Sequence, residues 1–255
     1  GFGGTGFPFT KGALDSTKGF FITTFNSRGD SIKFSTFYPN GAIYSNSSPI
    51  ITESGDVIIS GMNNSGTLPV TSGAYQSKHQ GGLYDGYVAK IKSDGKKLLF
   101  ATYIGGSSAE YFYGVTINAN EDIYLTGCTF SNDFPTVTNN PNFKAPKGGA
   151  DAFLLKLDKS GSKLLFSNLI GGNGEDILQS VCLNATEDIF VSGYTNSTNY
   201  PLSIYPKPYQ TANAGKRDLV VMKFFPNGGN YRYSTYLGGS NEDYADNWIN
   251  NIITQ

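Results

Sequence analysis

From Asp151 to Gly172 the chain reads DAFLLKLDKSGSKLLFSNLIGG. The same frame returns at Asp85 as DGYVAKIKSDGKKLLFATYIGG and at Asp218 as DLVVMKFFPNGGNYRYSTYLGG. The three aspartates stand 66 and 67 residues apart (151 − 85 and 218 − 151). A glycine follows ten residues after each (Gly95, Gly161, Gly228), and a Gly-Gly pair follows at twenty (Gly105-Gly106, Gly171-Gly172, Gly238-Gly239). Self-similarity at a fixed long period is the mark of stacked supersecondary units, so the fold is read from the repeat.

Each unit holds two hairpins. In the copy that starts at Asp151, Phe153–Asp158 and Lys163–Ile170 flank a turn at Lys159-Ser160-Gly161. Ile177–Asn184 and Asp188–Tyr194 flank a second turn at Ala185–Glu187. Short runs with alternating apolar residues, such as Ile123-Tyr124-Leu125 and Ile189-Phe190-Val191, sit between Asn/Asp/Gly clusters and read as strands. No segment sustains a 3.6-residue apolar period, so almost no helix is expected. The second hairpin ends on a glycine (Gly61, Gly127, Gly193). Seven residues later comes an apolar-Pro pair: Leu68-Pro69, Phe134-Pro135, Tyr200-Pro201, with Phe7-Pro8 a fourth copy. The first unit departs from the pattern, with Gly19 in place of the aspartate and Pro39-Asn40 in place of the Gly-Gly pair.

Composition agrees. The 255 residues are 15% charged, against ~25% in ordinary soluble domains, and 32 are glycine. Aromatics reach 14%, mostly Tyr and Phe, which suit pleated, half-buried surfaces. Net charge is −1 with no basic run, so nucleic acid is not an expected partner. No run approaches the ~18 apolar residues of a membrane-spanning helix, so no membrane insertion is expected. The opening GFGGTGFPFTKGA lacks a charged n-region and an apolar h-region, which argues against a signal peptide; a mature product or a piece of a longer chain is expected. Cys128 and Cys182 occupy different repeat positions and read as small buried hydrophobes in preference to a disulfide.

Four strands per unit make a four-stranded antiparallel blade. A twisted sheet of that size cannot hide both faces alone and must stack on neighbours, which predicts an all-β β-propeller. The units run approximately 19–84, 85–150, 151–217 and 218–255, with 1–18 the tail of a preceding unit, all within one domain. The pattern Asp-Ala-Phe-Leu-Leu-Lys-Leu-Asp, then Gly, Leu-Leu-Phe-Ser, Gly-Gly and Glu-Asp, followed by Glu-Asp-Ile-Phe-Val-Ser-Gly-Tyr-Thr and Tyr-Pro, resembles the bacterial SBBP-type β-propeller repeat. The resemblance spans nearly the whole chain. It implies a propeller, a secreted or bacterial cell-surface location, and adhesion or sorting modules elsewhere in a longer parent protein; it does not imply a known catalytic activity. With related propellers as guide to strand order, each blade takes a second hairpin inside and the next unit's first hairpin outside. The chain then holds three complete blades, an outer half-blade at the start and a lone inner strand at the end. A closed four-bladed ring and a segment of a larger propeller both fit.

Candidate chemistry is sparse. Glu110, Glu175-Asp176 and Glu242-Asp243 follow the Gly-Gly turns and are weak candidates for Ca²⁺, which takes ~6–8 oxygens; the simpler reading is that they accept backbone N–H bonds and shape the turn. Asn118–Asp122 and Asn184–Asp188 look like fragments of a calcium loop but sit where hairpins turn. Calcium is thus the one cofactor considered. Asp85, Asp151 and Asp218 recur, which favours a structural role tying loops together. His79, the only histidine, has no identifiable carboxylate partner for a triad. Gly1–Gly6 matches G-x-G-x-x-G without the strand and helix that a nucleotide site requires. Loop aromatics Tyr75, Phe143, Tyr200, Tyr205 and Tyr209 are candidates for binding a glycan or a protein, against packing over blade edges. The expected function is a non-catalytic module that presents a binding or adhesion face or acts as a rigid spacer. The alternative is a carboxylate-dependent hydrolase acting on polysaccharide in a propeller cleft.

Overall fold

The computed structural model describes residues 2–3, 6–17, 19–39, 43–44 and 47–243. Fifteen strands run through these residues, and the one helical piece is a 3₁₀ turn at Pro141–Phe143. The first sheet holds β1 (Phe2–Gly3), β2 (Gly19–Phe25) and β3 (Ile32–Phe37). The second holds β4 (Ile50–Ile51), β5 (Val57–Asn63), β6 (Asp85–Ile91) and β7 (Leu98–Ile104). The third holds β8 (Glu110–Ile117), β9 (Ile123–Thr129), β10 (Asp151–Leu157) and β11 (Leu164–Ile170). The fourth holds β12 (Asp176–Leu183), β13 (Ile189–Thr195), β14 (Asp218–Phe224) and β15 (Tyr231–Leu237). All pairings are antiparallel and follow chain order, so each four-stranded sheet joins the second hairpin of one unit to the first hairpin of the next. The inner strand expected at the C-terminus, at 248–255, lies outside the described residues.

Turn chemistry sets the hairpins. Gly95, Gly161 and Gly228 lie at φ +70, +71 and +67, and in each hairpin the register slips one residue beside the turn, at Ile91, Leu157 and Phe224. This is a type I turn closed by a left-handed residue and a bulge, which glycine adopts without strain. At the end of the second hairpin, Gly127 and Gly193 serve a close approach. A Cβ there would stand 2.0 Å from the Tyr111 carbonyl oxygen and 1.8 Å from that of Ile177. Beside these glycines the inner strands slip register at Phe112/Gly114 and Leu178/Ser180.

Successive sheets pack through one recurring junction. Phe34, Phe100 and Phe166 of strands β3, β7 and β11 each lay a ring on the turn glycine of the following sheet; a Cβ at Gly95, Gly161 or Gly228 would meet them at 2.3, 2.2 and 2.8 Å. The long links add a second tie. Leu14 N donates to the Gly95 carbonyl (3.1 Å) and Tyr75 N to that of Gly161 (2.9 Å), while Asn140 Nδ2 donates to Gly229 (3.3 Å). On β6, Tyr87, Ala89 and Ile91 join the core shared with the first sheet; on β10, Phe153, Leu155 and Leu157 join the core shared with the second. On β14, Val220, Met222 and Phe224 face the third. Alternate positions thus serve the sheet before and the sheet after, which is why these strands are apolar on both faces. Each buried large side chain contributes roughly 1.5–3 kcal/mol.

Candidate functional site

The recurrent acids lie at one end of the sheets, where strands β6, β10 and β14 begin. Asp85, Asp151 and Asp218 are buried and accept from the loop that precedes them. Asp85 takes Gln80 N (2.6 Å) and Gln76 Nε2 (3.2 Å), Asp151 takes Lys147 N (3.1 Å), and Asp218 takes Ala214 N (2.9 Å) and Gln210 Nε2 (2.6 Å). The acids after the Gly-Gly turns close those turns. Gly106 N donates to Glu110 (3.0 Å), Gly172 N to Asp176 (2.8 Å) and Gly239 N to Asp243 (2.7 Å). Thr129 (2.7 Å) and Ser131 (2.5 Å) donate to Glu110; Thr195 and Ser197 do the same for Asp176. In the second and third sheet ends two carboxylates flank one glycine: a Cβ at Gly171 would stand 2.4 Å from Asp151 Oδ1 and 2.7 Å from Asp176 Oδ2.

Burial of these carboxyls has an electrostatic consequence. Desolvation raises the Glu110 carboxyl to about 7, against lowering by Ser131, Thr129 and Gly106, with the Asp85 charge adding to the rise. Asp85, Asp151 and Asp176 are raised for the same first cause, desolvation. These groups face hydrogen-bond donors inside the fold, not an open cleft.

The calcium candidates do not converge. Glu175 reaches Arg217 (3.9 Å), Asp176 is enclosed as above, Glu242 is exposed and Asp243 closes its own turn. Among the described residues no three His, Cys, Asp or Glu side chains meet at a point. In the hairpin turns, Asn118 Oδ1 accepts from Asn120 N and Asp122 N, and Asn184 Oδ1 from Thr186 N and Asp188 N. Their acids face cations already: Asp122 meets Lys156 (3.0 Å), and Asp188 meets Lys223 and Arg232 (3.0 Å each). Glu121 and Glu187 hold positive φ (63 and 59) where the second sheet has Gly55. Glu121 pairs across the junction with Lys90 (2.5 Å), and Glu187 accepts from Asn118 Nδ2 (3.1 Å).

His79 does have a carboxylate beside it. Its Nε2 lies 3.2 Å from the Asn63 carbonyl and 3.8 Å from Asp85 Oδ1, with Tyr103 edge-on. The same nitrogen that a triad would turn to a nucleophile is turned to backbone, so His79 ties its loop to the end of β5. Both cysteines are free; Cys128 is buried, which with Glu110 and Glu175 nearby pushes its thiol up to about 12.

Of the loop aromatics, Tyr205 and Tyr209 are open to solvent, whereas Phe143 and Tyr200 are core residues. For Phe143 and Tyr200 the structure thus shows packing, the alternative to ligand binding weighed for these rings. Tyr200 occupies the apolar position of the apolar-Pro pair, as buried Leu68 and Phe134 do; its N–H donates to Tyr236 Oη (3.0 Å), just as Leu68 N donates to Tyr103 Oη (2.9 Å). Phe143 is carried by the 3₁₀ turn, capped by Asn140 accepting from Asn142 N, into the junction with the fourth sheet. There it meets Phe224 (5.9 Å) and Tyr231 (6.0 Å). Tyr75 is half-buried in the preceding junction.

Four other rings line up at the acid-bearing end. Tyr44, Tyr84, Tyr111 and Phe130 form a continuous edge-to-face row with centroid steps of 5.7, 5.6 and 6.1 Å, crossing from the second sheet to the third. All four are partly or fully exposed, and exposed Leu83 adjoins them. Tyr84 stands directly before Asp85, where the next units have Ala150 and Arg217; Arg217 lies over Tyr194 at 4.5 Å. The signal was available in the sequence: an aromatic at a repeat position where other copies carry unrelated residues. Neither a family model nor a curated protein matches the chain.

Proposed function

We propose that the four sheets are blades of a β-propeller and that the chain is a non-catalytic module of an exported or surface-displayed bacterial protein, presenting an aromatic binding face. The repeated junctions support the propeller reading, because a unit that stacks on its neighbour by the same contacts each time turns by the same angle each time. The row Tyr44–Tyr84–Tyr111–Phe130 carries the binding reading. Amphipathic rings on a rigid scaffold offer large contact area at low entropic cost, to a glycan or to a protein. The SBBP-type resemblance of the repeat is what supports the exported or surface location. Of the acids a hydrolase could draw on, Glu110 and Asp176 are bound into the Gly-Gly turns, and Asp122 and Asp188 are paired with Lys156, Lys223 and Arg232.

A glycan array and a pull-down with the whole chain test the proposal. Binding is expected, and Tyr84→Ala and Tyr111→Ala are each expected to weaken it about tenfold with thermal stability nearly unchanged. Binding that survives both substitutions contradicts this face; no ligand in either screen leaves a rigid spacer.

A further inference from the structure

The row Tyr44–Tyr84–Tyr111–Phe130 lies on the second and third sheets; in the fourth sheet the positions of Tyr111, Phe130 and Tyr84 are held by Ile177, Asn196 and Arg217. Its geometry selects among ligands. Neighbouring rings are inclined to one another by 70°, 62° and 73°, so a flat ligand cannot lie on two ring faces at once. Each pair of rings opens a notch instead. The ring steps of 5.7, 5.6 and 6.1 Å approach the advance of two residues along a polyproline II helix, about 6 Å. A proline-rich segment in that conformation is stiff and ridged, and its prolyl rings fit between aromatic side chains.

The polar atoms of the face suit the same ligand. Buried phenols elsewhere engage their hydroxyls inside the fold: Tyr38 and Tyr87 bond to each other (2.7 Å), and Tyr236 donates to the Ser197 carbonyl (2.9 Å). Among the described residues, none engages the hydroxyls of Tyr44, Tyr84 and Tyr111. A polyproline II helix has no internal hydrogen bonds, so its carbonyls accept from such donors. The row carries no charge of its own, but Asp133 borders it. Asp133 accepts from Ser107 N (2.8 Å) and Ser107 Oγ (2.9 Å). Ser107 and Ser108 in turn lie against Gly81 and Gly82, which lead into Leu83 and Tyr84. The two Ser107 bonds hold the exposed Asp133 carboxyl below the ordinary aspartate range, so it presents a negative charge at the edge of the rings.

We infer that the row takes a proline-rich segment of a partner protein in the polyproline II conformation, with prolines seated in the notches, carbonyls accepting from the three phenols and a basic residue facing Asp133. The inference rests on the row being a binding face, as proposed above, and names what it binds. Fluorescence polarisation with the whole chain tests it. The probes are a labelled decaproline with one terminal arginine, a glycine-serine peptide of equal length and charge, and labelled cellohexaose and chitohexaose. The proline peptide is expected to bind saturably and the others not. Tyr84→Ala and Tyr111→Ala are each expected to weaken it about tenfold. Tyr84→Phe and Tyr111→Phe, which keep the ring and remove the donor, should weaken it about three- to tenfold, and Asp133→Asn about threefold. Thermal melts verify folding, and the phenylalanine variants carry the test should an alanine variant misfold. A proline peptide that does not bind, that binds no better than the glycine-serine peptide, or that is insensitive to Tyr84 and Tyr111 overturns the inference. Oligosaccharide binding that depends on Tyr84 and Tyr111, without proline-peptide binding, overturns it while leaving the binding face in place; no dependence on the row for any probe removes both.

Discussion

The junction between the second and third sheets and the open face of the first are built from corresponding repeat positions, and only the former has another sheet packed on it. In the former, Phe100 covers Gly161, Tyr75 N reaches the Gly161 carbonyl, and Leu157 is fully buried. In the latter, Gly29 meets nothing and Phe25 faces solvent. The contrast separates what a hairpin needs for itself from what it needs for stacking. The positive-φ glycine and the bulge persist at Gly29 without a neighbour, so they belong to the hairpin. Apolar identity at Phe25 brings little in place and acquires value only when covered.

Paired substitutions exploit this. Phe100→Ala opens a cavity inside a junction and is expected to cost about 3–5 kcal/mol in chemical denaturation, whereas Phe25→Ala is expected to cost under ~1 kcal/mol. Equal losses would show that the open face is covered in solution. Gly161→Ala adds a Cβ against the Phe100 ring at 2.2 Å and forces a left-handed alanine, for about 2–4 kcal/mol; Gly29→Ala pays only the backbone strain, about 1 kcal/mol. Thermal melts of the two variants should differ accordingly.

A smaller effect concerns pH. Glu110 lies inside the stack and its carboxyl is raised to about 7 from an ordinary 4.5. The native state therefore holds a proton that the unfolded chain has lost, and stability falls as pH rises from about 4.5 to about 7, by no more than about 3 kcal/mol. Asp85, Asp151 and Asp176, also raised, add slope in the same direction above the ordinary aspartate value. Glu110→Gln keeps the side-chain shape and should flatten the part of the slope near neutrality, measured as denaturation midpoint against pH. An unchanged slope assigns it elsewhere.

Much of the fold was legible because the copies could be aligned. The strands fall within a residue or two of expectation, and the division of each unit between two sheets follows the strand order taken from related propellers. The turn acids were legible as turn residues for the same reason. Burial of individual aromatics was not, since Phe143 and Tyr209 stand in loops of similar composition, and only the presence of a following sheet sends one to 0% exposure and leaves the other at 86%. The aromatic row escaped because its members come from four separate segments that meet only when the second and third sheets stack. His79 lacked a partner in sequence because Asp85 is brought to it by the loop that Gln80 closes.

Native-state hydrogen exchange on the chain at low concentration tests most directly that each sheet depends on having a neighbour on both faces. The amides of β10, enclosed between two sheets, are expected to exchange only by global unfolding, and those of β2 by a local opening of much lower free energy. Equal protection of β2 and β10 under these conditions would contradict the account.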